Sequence, residues 1–124
     1  MFDGIAFCAT LPASDLARAT QWYSEKLGLA PVEESEGAAW YETGGARFLL
    51  YQSTFAGGNQ ATAATLSTSD FDSAMARLRE VGVSFEEYDL GEIMTEDGVV
   101  TTPDGTRVAW FKDSEGNILS IASA

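Results

Sequence analysis

Apolar side chains recur along this chain with two periods. Leu16, Ala19, Tyr23 and Leu27 fall three or four residues apart, the spacing of one helix face, and Gly28 ends the series. Phe71, Ala74, Met75 and Leu78 repeat that spacing, and Gly82 ends it. Between these helices lie short stretches rich in β-branched, aromatic and small residues, bounded by glycine, which read as strands. The pattern predicts β(Gly4–Leu11), α(Asp15–Leu27), then strands at Ala30–Glu34, Ala38–Glu42 and Arg47–Gln52. It then predicts β(Ala61–Ser67), α(Phe71–Val81), and strands at Ser84–Asp89, Arg107–Lys112 and Asn117–Ala122. Each half is therefore βαβββ.

A local repeat supports the same division. ATLPASD at Ala9–Asp15 returns as ATLSTSD at Ala64–Asp70, 55 residues later. Both copies end on Ser-Asp, whose side-chain oxygens suit free N–H groups at a helix start. Further on, Trp40-Tyr41 matches Trp110-Phe111 and Leu49 matches Leu119, now 70 residues apart. The growth in offset assigns about 15 extra residues to the second copy, within Asp89–Thr106. That segment reads either as a lid across a binding site or as a hairpin shielding a sheet edge. Residues 1–124 form a single domain of two modules, about 4–52 and 61–122, joined by the linker Ser53–Gln60.

Composition narrows the chemistry. Seven basic residues against nineteen acidic ones give a net charge of −12. This field repels phosphate, so nucleic acid and anionic membrane are excluded as partners, and the acidity reads either as a means of solubility or as a field favouring a cationic ligand. No apolar run reaches the length of a membrane span, and nothing resembles a signal peptide, so a cytoplasmic location is expected. Cys8, the single cysteine, agrees with a reducing compartment and reads as an inert buried thiol. There is no histidine, hence no recognisable base to activate Cys8, Thr10 or Ser120, and no catalytic residue is assigned. Asp113 and Glu115 read as a turn-former and a solvated charge.

WYSEKLGL (Trp22–Leu29), the Asp-Leu start of the first helix, and WFKDSEGNIL (Trp110–Leu119) together resemble the vicinal oxygen chelate superfamily. That superfamily includes glyoxalase I, bleomycin-resistance proteins and extradiol dioxygenases. The resemblance implies an α+β fold in which tandem βαβββ modules form a cup-shaped mixed sheet with helices outside, commonly as a homodimer. It also implies that the metal-ligand positions fall on Cys8, Leu50 (or, one register along, Tyr51), Ala63 and Ser120. These residue types cannot supply three or four metal donors, so no metal or other cofactor is expected.

Strand alternation from those anchors turns Ala6, Cys8, Thr10, Phe48, Leu50 and Gln52 into the cup, with Leu49 and Tyr51 toward the helices. Ala63, Thr65, Ser67, Ile118 and Ser120 face inward in the second module. Trp40 and Trp110 are either core fillers or platforms for a flat ligand. The expected ligand-binding set is Cys8, Thr10, Phe48, Leu50, Gln52, Ala63, Thr65, Trp110 and Ser120. The leading expectation is a small-molecule binder; the alternative is a superfamily lyase or isomerase with an atypical metal site. A protein-binding accessory module is the third reading, marked by a closed cup and an exposed apolar patch.

Overall fold

The computed structural model describes residues 1–91 and 93–124. Its elements in chain order are β1 (Ala9–Ala13), α1 (Leu16–Leu27), β2 (Glu33–Ser35), β3 (Ala38–Thr43) and β4 (Ala46–Gln52). There follow β5 (Thr62–Thr68), α2 (Phe71–Glu80), β6 (Val99–Thr101), β7 (Arg107–Lys112) and β8 (Ile118–Ser123). They build two four-stranded sheets of identical plan, β1-β4-β3-β2 and β5-β8-β7-β6. In each, the first strand runs parallel to the last and the others pair antiparallel. The α+β architecture of tandem modules is as expected.

The repeated heptapeptide ends as the sequence predicts. Asp15 caps α1 by accepting from the Arg18 amide at 3.0 Å, and Asp70 caps α2 by accepting from the Ser73 amide at 3.2 Å. Gly28 closes α1 in the left-handed region at φ 67°. Each helix lays its apolar stripe on one sheet face: Ala19 and Tyr23 from α1, and Phe71, Met75 and Leu78 from α2, are buried. Tyr23 packs on Tyr41 and Phe48 of the first sheet, while neighbouring Trp22 stacks 6.3 Å from Phe111 of the second. Helix α1 thus joins the modules into one core.

Three strands differ from the expected ones. The first begins at Ala9 rather than Gly4, because Met1–Cys8 meets no partner strand and turns through an Ile5 amide bond to the Phe2 carbonyl. Pro12 is tolerated because β1 is an edge strand. The second strand starts at Glu33, past Pro31, not at Ala30. Expected strand Ser84–Asp89 does not form: after one bridge between Phe85 and Phe111 the chain leaves the sheet. It doubles back through an Asp89–Met94 bridge and returns as β6 on β7. The inserted segment is therefore an edge-covering hairpin; Glu92 within it lies outside the described residues.

Candidate functional site

Pairing register sorts each strand's residues between a helix-facing side and an open side. In the first sheet Leu11, Leu50 and Ala39 stand in line, as do Ala9, Phe48 and Tyr41. Leu11, Leu50, Ala39 and Tyr41 are buried core residues, so this is the side covered by α1. Thr10, Trp40 and Leu49 form the opposite, open face, with Tyr51 beside them. In the second sheet Leu119, Ile121, Ala109 and Phe111 face α2. Thr65, Ser67, Trp110 and Ser120 occupy the open face.

Three expected site residues consequently change sides. Phe48 stacks on Tyr41 with ring centroids 4.6 Å apart, and Leu50 is wholly buried. Gln52 accepts from the Leu16 amide and donates to the Ser14 carbonyl, fastening the start of α1. The helices take Phe48, Leu50 and Gln52, and the open face receives Leu49 and Tyr51, opposite to the expected parity. A one-residue shift in register inverts every side chain of a strand. Cys8 is exposed rather than buried, on the unpaired arm before β1. Ala63 sits at a bulge between Thr62 and Ala64, packed at the margin of the core.

The remaining residues form two groups. On the second sheet, the buried Ser120 hydroxyl donates to Thr65 Oγ1 at 2.8 Å. Trp110 Nε1 donates to Thr62 Oγ1 at 3.1 Å, and its ring meets Tyr88 edge-on at 5.4 Å. On the first sheet, Thr10, Leu49, Tyr51 and half-buried Trp40 share the open face, and the Arg47 guanidinium lies 4.7 Å over the Trp40 ring. Both tryptophans therefore lie outside the helix-covered core. The lining is hydroxylic and aromatic, suited to hydrogen bonds and stacking.

A family metal does not fit these residues. Cys8, Leu50 or Tyr51, Ala63 and Ser120 offer one exposed thiol, at most one phenol, no donor at Ala63, and a hydroxyl already turned to Thr65. Among the described residues no three His, Cys, Asp or Glu side chains gather as a ligand set.

Glu115, expected as a solvated charge, is instead buried at the junction of the modules, beside Asp113, which forms the expected turn by accepting from the Glu115 and Asn117 amides. Glu115 accepts from Arg18 Nε at 2.8 Å and Nη2 at 3.0 Å, the Asp15 amide at 3.0 Å, Ser114 Oγ at 2.9 Å and Ser14 Oγ at 3.2 Å. The Arg18 guanidinium, aided by the other donors, outweighs burial and holds this carboxyl down at about 2. Asp113 accepts from the Tyr23 hydroxyl at 2.7 Å and from the Asn117 side chain at 2.9 Å. Burial, first, and the neighbouring Asp113 charge push the Tyr23 phenol strongly upward. The Ser-Asp repeat placed both helix starts, but local sequence carried no signal that Glu115 would reach across the chain to one of them.

Comparisons with known proteins agree with this geometry. Residues 4–120 match the Glyoxalase/Bleomycin resistance protein/Dioxygenase superfamily. No curated protein matches the chain. Among solved structures, a bleomycin-binding protein complexed with bleomycin superposes with a TM-score of 0.74 at 16% identity, covering 96% of this chain and 98% of that one. Lactoylglutathione lyase from Agrobacterium tumefaciens gives 0.73 at 18% identity, with 97% and 94% covered. A glyoxalase/bleomycin resistance protein from Catenulispora acidiphila gives 0.69 at 20% identity, with 95% and 96% covered. At such identities the likeness is one of fold.

Proposed function

We propose that this chain, which belongs to the Glyoxalase/Bleomycin resistance protein/Dioxygenase superfamily, binds a small, flat organic molecule on the open faces of its sheets and holds it without a metal. The observation that carries the reading is the second sheet's open face. There Trp110, held by Thr62 and Tyr88, flanks the Ser120–Thr65 hydroxyl pair with no ionisable side chain bonded to either. Such a surface stacks an aromatic ring and hydrogen-bonds its edge, and it offers no general acid or base. The −12 charge favours a cationic ligand and speeds its arrival. The structurally similar bleomycin-binding protein holds bleomycin.

The binding unit is a homodimer acting in the cytoplasm, in which a second copy completes the cup. Phe7 is fully exposed, and Phe2, Ile5 and Phe55 are largely so. Apolar exposure of this kind is normally covered by a partner. Light scattering behind size exclusion reads the dimer directly, and a monomer at micromolar concentration would remove that part of the proposal.

Ligand binding is tested by tryptophan fluorescence and thermal shift against bleomycin, other cationic aromatic compounds and uncharged aromatic metabolites. Binding by at least one compound, weakened about tenfold or more by Trp110→Ala, supports the reading. A panel without any response, or stoichiometric nickel, zinc, iron or manganese in the purified protein, overturns it. The metal result would favour a lyase or isomerase with an atypical site.

A further inference from the structure

On the helix side a cavity of about 540 Å³ lies between the modules. Its floor is apolar: Leu11, Phe48, Leu66, Leu78, Leu119 and Ile121. One wall is β5, an edge strand whose outer side pairs with no other strand of its sheet, with Leu66 and Thr68 turned to the helix side. Opposite stand the end of α1 and the β3–β4 turn.

Charge sets this cavity apart from the rest of the molecule. The chain has only seven basic residues, and Lys26, Arg47 and Arg77, from three different elements, all line it. Among the described residues no aspartate or glutamate does. The three cations are not tied up in tight pairs. Arg47 meets Glu33 and Glu42 only at 3.7 and 3.4 Å with its guanidinium over the Trp40 ring, and Arg77 meets Glu80 at 3.4 Å. Lys26 gives one of its three N–H donors to the Val81 carbonyl at 2.6 Å. Guanidinium groups with free donors match a carboxylate fork, and the volume falls within the range of small-molecule pockets.

We infer that this cavity is a second binding site, taking an amphipathic carboxylate: an apolar body against Phe48 and the leucines, with its carboxylate between Arg47, Arg77 and Lys26. It differs from the proposed open-face site, which favours the opposite charge and is centred on Trp110 and Ser120, neither of which lines this cavity.

Amide NMR titrations with sodium octanoate, 1-octanol and octyltrimethylammonium separate body from head group. Octanoate should bind best and shift the amides of Leu66, Ser67 and Ala74, with octyltrimethylammonium weakest. Arg47→Gln with Arg77→Gln, at exposed positions where folding survives, should weaken octanoate about tenfold or more, as expected for losing charge-assisted hydrogen bonds. Ala74→Met should block the cavity without changing charge, whereas Trp110→Ala should leave octanoate affinity unchanged. The inference fails if octanoate does not bind, if the cationic amphiphile binds as well, if shifts map to the open faces, or if the double arginine variant binds as wild type does. It also fails if Ala74→Met changes the oligomeric state instead of octanoate affinity. Failure of these experiments leaves the open-face proposal standing, since Trp110 and Ser120 do not line this cavity and the two ligands carry opposite charge.

Discussion

Replacing Glu115 by Gln tests how the two modules are held together. The substitution keeps size and shape but removes a charge whose side chain is wholly buried, while its partner Arg18 is about half exposed. Four protein groups donate to that carboxylate: Arg18, the Asp15 amide, Ser14 and Ser114. Arg18 can return to water at little cost, so the loss comes mainly from the α1 donors bound to a weaker acceptor. Hydrogen bonds to charged groups exceed neutral ones enough to set the cost at about 2 kcal/mol. For a domain of this size that lowers Tm by roughly 8 °C.

The pH dependence makes the test specific. The folded carboxyl titrates near 2 against an ordinary 4.5, so the folded state binds fewer protons than the unfolded one. Its stabilisation is complete above the ordinary value and disappears as pH falls from about 5 through 2. Denaturant titrations should show the gap between wild type and Glu115→Gln nearly the same at pH 7 and 5 and clearly narrowed at pH 3. A gap below about 0.5 kcal/mol at pH 7, or one unchanged at pH 3, would refute the account of the junction.

Other substitutions probe separate links. Tyr41 Oη is buried and has no hydrogen-bond partner among the described residues, so Tyr41→Phe should leave stability unchanged or raise it by about 1 kcal/mol in urea titrations; a loss of that size would reveal a hidden partner. Tyr23→Phe strips a buried donor from Asp113 and should cost about 2 kcal/mol by the same measurement, with a negligible cost counting against the Tyr23–Asp113 bond. Gly57 has φ 78°, and a Cβ there would lie 2.9 Å from the Glu115 carbonyl oxygen. Gly57→Ala should therefore destabilise by about 1–3 kcal/mol, and an unaffected variant would show that the linker moves freely off the turn. Cys8, exposed in the single chain beside Phe7, should react with a thiol reagent more slowly in the native dimer than in denaturant; equal rates would count against a second copy covering the arm.

The α1 and α2 helices, their aspartate caps and the doubled module could be read from the chain because they depend on local signals. Spacing of three and four residues selects a helix face, and Ser-Asp supplies the oxygen that the first turn lacks. The family match spans residues 4–120. Strand faces were another matter. Thr10, Thr65 and Ser120 lie on the open side as their alternation implied, but Phe48, Leu50 and Gln52 lie beneath α1. Alternation says only that neighbours point apart; the choice between faces belongs to what the helix covers, here the Tyr23 and Tyr41 rings. The edge strand of the second sheet was equally nonlocal, since Val99–Thr101 wins its place only by pairing with β7. Burial of Glu115 depends on a contact with Ser14, Asp15 and Arg18 about a hundred residues away. The gathering of Lys26, Arg47 and Arg77 around one cavity has the same origin. Local periodicity determined the modules, whereas the docking of α1 across both sheets decided which side chains are core, which remain available, and where the few positive charges meet.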